Sequence, residues 1–252
     1  MCTLAFAWRV YDDAPLVVAA NRDEAVGRPA SPPAVHGESP QVLMPRDEEA
    51  GGTWIGVNEH RVFVAVTNRR VELEDDDSQE RPFAQSEERG SSRRSRGLLV
   101  TDALDAESAS DAVEVVRREL ADREYAGFNL VVADDEDCVL LEWDGVLRRH
   151  DLESGTHVVV NEGYDDGTEK SRTIRRALGG TTQDEWVTAA REALSDHETG
   201  ACVHGDGFGT RSSSLVTIDD GGESGPDSGS VRYDFADGPP CETPYRRVDN
   251  QL

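Results

Sequence analysis

Lysine is almost missing from this chain: Lys170 is the only one among 252 residues. Arginine supplies the rest of the 26 basic residues, which face 51 acidic ones, for a formal net charge of −25 at pH 7. A surface so short of positive charge repels phosphate backbones and anionic membranes, which argues against nucleic acid as a partner. Long apolar runs are missing as well. No stretch approaches the roughly eighteen consecutive apolar residues of a membrane span. The opening Met1–Val10 lacks a basic leader and a small-residue cleavage site, so it does not read as a signal peptide. The expected location is the cytoplasm.

Cysteine is sparse. Cys2, Cys138, Cys202 and Cys241 lie far apart in sequence, with no C-x-x-C pair. That spacing argues against a zinc site and against a disulfide framework, and it suits a reducing compartment. The histidines (His36, His60, His150, His157, His197, His204) include no i, i+4 pair on one helix, so the sequence gives no support for metal ligation. A G-x-S-x-G elbow is absent. The glycines of 205–210 do not lead a strand into a helix, which removes a dinucleotide reading.

What is present points to a folded chain of one large domain, 1–252. High acidity alone would also suit disorder, but long β-patterned segments alternate with the acidic ones. At about 1 M salt the Debye length falls to roughly 3 Å, which screens carboxylate repulsion. Arginine in place of lysine, with loops coated in Asp and Glu, is the composition expected of a halophilic archaeal protein. The charge speaks of habitat rather than of chemistry.

Thr3–Val10 and Leu16–Asn21 read as a hairpin, followed by a Pro-rich loop from Arg28 to about Pro45. Thr53–Asn58 and Val62–Asn68 read as a second hairpin, and Val71–Arg94 as an acidic, solvated insert. Helices are expected at Ser108–Ala121, Glu169–Leu178 and Asp184–Leu194. Strands are expected at Phe128–Ala133, Cys138–Trp143, His157–Asn161, Ser212–Ile218 and Val231–Phe235. Strands arrive in hairpins with the helices grouped in the middle, which favours antiparallel sheets covered by helices, an α+β layered fold.

Cys2 directly after Met1 is the most pointed feature. A small residue at position 2 permits removal of Met1, which leaves cysteine with a free α-amine of pKa near 7.7–8.0. Such an amine can act as general base for its own thiol. A cysteine here also suits plain strand packing. Arg22 and Asp23 end the second strand and could stand beside Cys2, Arg22 favouring the thiolate and Asp23 holding either the protonated amine or Arg22; as ordinary residues they suit a turn or a surface pair. Asn68 and Asn161 each end a strand, where an amide can donate to an oxyanion or simply turn the chain. Arg211 follows the glycine stretch and could reach the site or balance acidic neighbours.

Six segments in order carry a family resemblance: Met1-Cys2-Thr3-Leu4, Asn21-Arg22-Asp23-Glu24, Gly51–Asn58, Ser95–Val100, Gly127–Leu130 and Gly209–Ser214. Together they resemble the NRDE family, also called the transport and Golgi organisation 2 family. That family is similar in turn to the N-terminal-nucleophile hydrolases of the choloylglycine hydrolase and penicillin V acylase group. The resemblance implies a four-layer αββα sandwich of antiparallel sheets. It implies Cys2 as nucleophile, Arg22 and Asp23 beside it, Asn68 and Asn161 on the oxyanion side, and Arg211 as a late arginine near the nucleophile. The implied activity is a cysteine amidohydrolase acting on a non-peptide C–N bond of a small-molecule amide or acyl substrate, with no cofactor. Eukaryotic relatives are associated with haem movement, lipid metabolism and Golgi organisation, so the alternative is a haem- or lipid-related carrier on the same scaffold. Two departures stand out. Arg22 and Asp23 are adjacent, and strand neighbours point to opposite faces, so both can face Cys2 only through a turn. Arg69 follows Asn68 and changes the pocket beside it.

Overall fold

The computed structural model describes residues 2–69, 93–220, 230–250 and 252. The expected insert Val71–Arg94 lies outside the described residues except for Arg93 and Arg94.

Alternation of side chains builds two sheets. The strands are β1 (Thr3–Tyr11), β2 (Ala14–Ala25), β3 (Ala30–His36), β4 (Val42–Asp47), β5 (Ile55–Asn58), β6 (Phe63–Asn68), β7 (Phe128–Ala133), β8 (Cys138–Trp143), β9 (Leu147–Asp151), β10 (Gly155–Val160), β11 (Gly163–Tyr164), β12 (Phe208–Ile218), β13 (Val231–Ala236) and β14 (Arg246–Arg247). The first sheet runs β11-β10-β1-β2-β12-β13-β14 and the second β3-β4-β5-β6-β7-β8-β9. All their pairings are antiparallel.

In β1, Leu4, Phe6 and Trp8 point into the gap between the sheets, where they meet Leu16, Val18, Phe63, Val131 and Leu140. Ala5 and Ala7 point the other way, and their small size lets helices settle closely on the first sheet. Those helices are α3 (Glu169–Ala177) and α4 (Gln183–Leu194). Helix α3 starts on a reciprocal Thr168–Ser171 capping box, and α4 starts on Thr182 and buries Trp186, Ala190 and Leu194. The outer face of the second sheet is covered by α1 (Arg96–Ala103) and α2 (Ala109–Asp122), through Leu99, Val100, Ala112, Val113 and Val116. The result is the expected four-layer αββα sandwich. No helix among the described residues is long and apolar enough to cross a membrane.

Three local expectations change. The Pro-rich loop is a hairpin, β3–β4, with Pro32 and Pro33 on an edge strand, the one place in a sheet where a missing N–H is harmless. Helix α1 was hidden by Gly97 in its first turn; Ser95 caps it by accepting from the Gly97 N–H. Strand β2 does not turn after Asn21 but continues to Ala25.

Candidate functional site

Cys2 stands directly ahead of β1. Thr3 lies opposite Asn21 on one side and Val160 on the other, so one step further the register sets Cys2 between Arg22 and Asn161. Ser212 of β12 lies opposite Arg22. Leu4, Val18, Val159 and Val216 share the gap-facing side of these four strands. By alternation Cys2, Arg22, Asn161 and Ser212 share it too, and they form one polar row across β10, β1, β2 and β12 at the end of the apolar gap.

Arg22 is 5% exposed and crosses to the second sheet. Its Nη2 lies 3.3 Å from Asp47 Oδ2, and its guanidinium sits 4.3 Å from the Trp54 ring centroid. Asp47 also takes Arg28 Nε at 2.8 Å and accepts the Glu49 and Ala50 N–H groups on its other oxygen. Burial alone would raise the Asp47 carboxyl, but these N–H groups and cations hold it below its ordinary value. Trp54 is brought over Arg22 by a close crossing of two of the ordered segments. Gly52, at φ +75°, approaches Gly97 so closely that a Cβ would collide with its carbonyl, and the Thr53 N–H donates to that carbonyl at 3.0 Å.

Asp23 points to the opposite face from Arg22. Its Oδ1 accepts Thr210 Oγ1 at 2.6 Å, while its main-chain oxygen lies 4.0 Å from Cys2 Sγ. The Asp23 carboxylate thus lies on the reverse face of the strand, while its main-chain oxygen stays near the thiol. Burial pushes the Asp23 carboxyl above its usual range, with the Thr210 hydrogen bond opposing. Burial likewise pushes the Cys2 thiol up; the Asp23 charge adds to this and Arg22 works against it.

Asn161 is fully buried and donates from Nδ2 to the Asn68 main-chain oxygen at 2.6 Å. Asn68 therefore enters the site through its carbonyl, and alternation along β6 sends its side chain to the face away from Thr67. The second N–H of Asn161 Nδ2 has no acceptor among the described residues. Asn161 Oδ1 and Ser212 Oγ, at the two ends of the row, are buried polar atoms with no hydrogen-bond partner among the described residues. Asn129 bridges the sheets nearby, donating to Val160 O at 2.9 Å. Arg69 pairs with Glu142 and donates to Asn129 Oδ1 at 2.9 Å, so it is held by this bridge.

Arg211 is the extra residue of a bulge: Thr210 pairs with Asp23 and Ser212 with Arg22, with Arg211 between them. Bulges of this kind re-aim a side chain next to a site. Arg211 is half-buried and forms no ion pair among the described residues. The fold thus brings Cys2, Arg22, Asn161 and the Asn68 carbonyl together, with Asp23 on the reverse face and Arg211 at the bulge. Sequence reasoning did not single out Asp47, Trp54, Thr210 or Ser212. Trp54, Thr210 and Ser212 lie inside segments that carry the resemblance, the one available signal for them.

Two of the cysteines that lie far apart in sequence come together in the fold. Cys202 and Cys241 approach to 3.5 Å between sulfurs, beside His197 and His204. Separation in sequence is no guide here, because the segment after β13 folds back against the loop between α4 and β12.

Comparison with known proteins places these features. The family model for Transport and Golgi organisation 2 matches residues 1–201. A mouse Transport and Golgi organization 2 homolog is 29% identical over 123 residues, 47% of this chain and 38% of its own length. The bovine homolog is 32% identical over a stretch covering 47% of this chain and 38% of that protein. The match thus spans well under half the length of these relatives. Among solved structures, penicillin V acylase from Agrobacterium tumefaciens aligns with a TM-score of 0.56 at 12% identity, over 94% of this chain and 83% of that one. A Caenorhabditis elegans N-acylethanolamine-hydrolyzing acid amidase ortholog aligns at 0.53 with 13% identity, over 85% and 92%. At such identities the likeness speaks for the fold alone, and that fold is the four-layer sandwich this chain shares with the acylase and the amidase ortholog. With the matched model covering most of its length and Cys2, Asn21-Arg22-Asp23-Glu24 and the Gly52–Gly97 crossing in place on that fold, this chain belongs to the Transport and Golgi organisation 2 family.

Proposed function

We propose that the protein is a cysteine amidohydrolase acting on a non-peptide C–N bond of a small-molecule amide, with Cys2 as its N-terminal nucleophile once Met1 is removed. The observation that carries this reading is the polar row. A thiol and a buried guanidinium share the inter-sheet face, bracketed by two buried polar atoms, Asn161 Oδ1 and Ser212 Oγ, that have no hydrogen-bond partner among the described residues. Buried polar groups are normally paired, so such a pair at one place suits a ligand that supplies the missing bonds. The named activities of the structural neighbours, an acylase and an amidase, point to the same substrate class.

The chemistry follows from the placement. A thiol raised by burial is neutral at rest and needs a base at the moment of attack. The α-amine freed by loss of Met1 takes the thiol proton as sulfur bonds to the amide carbon. The free N–H of Asn161 stabilises the oxyanion. The amine then passes its proton to the leaving nitrogen as the C–N bond breaks. Water cleaves the thioester, returning the proton to sulfur. Asp23, beside the chain start, orients the amine; Asp47 and Trp54 hold Arg22 in the row as positioning residues.

Intact-protein mass spectrometry, in high salt, before and after an electrophilic β-lactone probe, tests this. The expected result is loss of the Met1 mass and a single adduct mapped to Cys2. Retained Met1, or a Cys2 no more reactive than Cys138, Cys202 and Cys241, overturns it.

A further inference from the structure

We infer that His197, Cys202, His204 and Cys241 form a second, separate site that binds a zinc-type divalent metal and ties the C-terminal segment to the strand holding Asp23. One donor atom from each residue lies within 4.8 Å of the others. Cys241 Sγ is 3.1 Å from His204 Nε2, Cys202 Sγ is 3.7 Å from the same nitrogen, and the two sulfurs are 3.5 Å apart. Bonds of about 2.3 Å to sulfur and about 2.0 Å to nitrogen set tetrahedral edges of roughly 3.3–3.8 Å, so the three separations among Cys202, His204 and Cys241 need shifts of only a few tenths of an ångström, and His197 has the larger movement to make. The imidazoles of His197 and His204 converge with ring centroids 5.0 Å apart.

His197 adds an independent sign. Its Nδ1 lies 3.1 Å from the Cys202 carbonyl oxygen. An N–H donated there fixes the tautomer and leaves Nε2 with its lone pair, the arrangement that orients metal-binding histidines. A disulfide would account for the two sulfurs but not for two imidazoles aimed at them. Two thiolates and two imidazoles as a donor set select zinc over the hard cations that surface carboxylates prefer. Both thiol protons leave for solvent as the metal–sulfur bonds form.

The backbone is arranged for convergence. The Asp196 carboxylate accepts the Glu198 and Thr199 N–H groups, and the Cys202 N–H donates to Asp196 O at 3.0 Å, so a tight turn sets Cys202 against His197. Between the two inner ligands, Val203 donates its N–H to Thr210 Oγ1 at 2.9 Å, and Thr210 donates to Asp23. A metal here therefore clamps the segment that holds Asp23. Cys202, His204 and Cys241 all lie beyond the residues that match the family model, which ends at 201.

The test is cobalt(II) titration of the full chain, purified reduced and without oxygen and stripped with a chelator, in high salt. The expected result is saturation at one equivalent, with intense visible bands of tetrahedral cobalt and a near-ultraviolet sulfur-to-metal band that zinc displaces. Cys241→Ser, an exposed position, should keep the circular dichroism spectrum and lose about half or more of the sulfur band, while Cys2→Ala leaves it intact. Stripping the metal should lower the Tm of the wild type and leave that of Cys241→Ser unmoved. A weak octahedral spectrum that Cys241→Ser does not change would mean carboxylates alone bind and would overturn the site. So would a Cys202–Cys241 disulfide in protein handled without oxygen.

Discussion

Asn21 and Arg22 are neighbours on β2, buried to 2% and 5% exposure, and they serve different parts of the molecule. Asn21 faces the helices. Its Nδ2 donates to Leu194 O and Ala201 O, both at 2.8 Å, and so ties an orphan carbonyl at the end of α4 to one in the loop that follows it. Arg22 faces the gap and reaches Asp47 and Trp54 beside Cys2. Asp23 falls on the helix side again and Glu24 on the arginine side, 3.8 Å from it. A four-residue signature that looks like one site is thus two interleaved pairs, because strand neighbours face opposite ways. One pair belongs to the helix-facing side of the sheet, the other to its gap-facing side.

Substitutions on the two faces should therefore separate turnover from stability. On the gap side the largest effect belongs to Cys2→Ala, which should lower turnover by at least about 10⁴-fold with an unchanged Tm. Cys138→Ala is the contrast: its thiol, pushed up to about 12 mainly by burial, packs in the apolar core and takes no part in turnover. Normal turnover in Cys2→Ala would end the proposed mechanism. Next comes Asn161→Ala, expected to cost roughly 10²–10³ in kcat as one oxyanion donor is lost; a change confined to KM would move Asn161 from the reaction to substrate binding. On the helix side Asn21→Ala leaves two buried carbonyls unpaired and should cost about 2–4 kcal/mol in denaturant unfolding. Turnover measured in the fraction that remains folded should change only a few-fold. If Asn21→Ala instead lost turnover with full stability, the division of β2 into two faces would be wrong.

The sequence reveals one side of this arrangement more readily than the other. Period-two runs such as Thr3–Val10 and Phe128–Ala133 declare strands because β-rich apolar residues alternate or fill a buried sheet. The layered fold follows from hairpins with grouped helices. Strand β3 escapes because two prolines look like loop, although an edge strand tolerates them; α1 escapes because a glycine occupies its first turn. Cys2, Arg22 and Asp23 stand out through the resemblance. Their faces do not, since a turn after Asn21 and a strand through Ala25 are equally compatible with those letters. Asp47 becomes visible only through contact between sheets, and the place of Ser212 in the row only through register, neither of which is written along the chain. The pairing of Cys202 with Cys241 is of the same kind: nothing local in either segment states that they meet.

The smallest expected effect sharpens the comparison most, because it has a sign that ordinary packing arguments would miss. Asp23 is 3% exposed, and burial raises its carboxyl above the usual range. A folded-state pKa above the unfolded one means the native state holds the proton more tightly. Ionised Asp23 is then a burden on stability at neutral pH. That burden appears as pH rises from the unfolded carboxyl value, about 3.9, through the raised folded one, and it vanishes below both. Asp23→Asn keeps an acceptor for Thr210 Oγ1 and removes the buried charge. At pH 7 it should raise the Tm by roughly 2–4 °C, the size that about 1 kcal/mol gives in a chain this long. At pH 3 the gain should disappear. Turnover should fall in the same variant, since a carboxylate kept at a cost to stability beside the nucleophile's amine is the pattern of a group retained for chemistry. A loss of Tm at pH 7 would instead make Asp23 a structural partner of Thr210, and would move it to the same side of the comparison as Asn21.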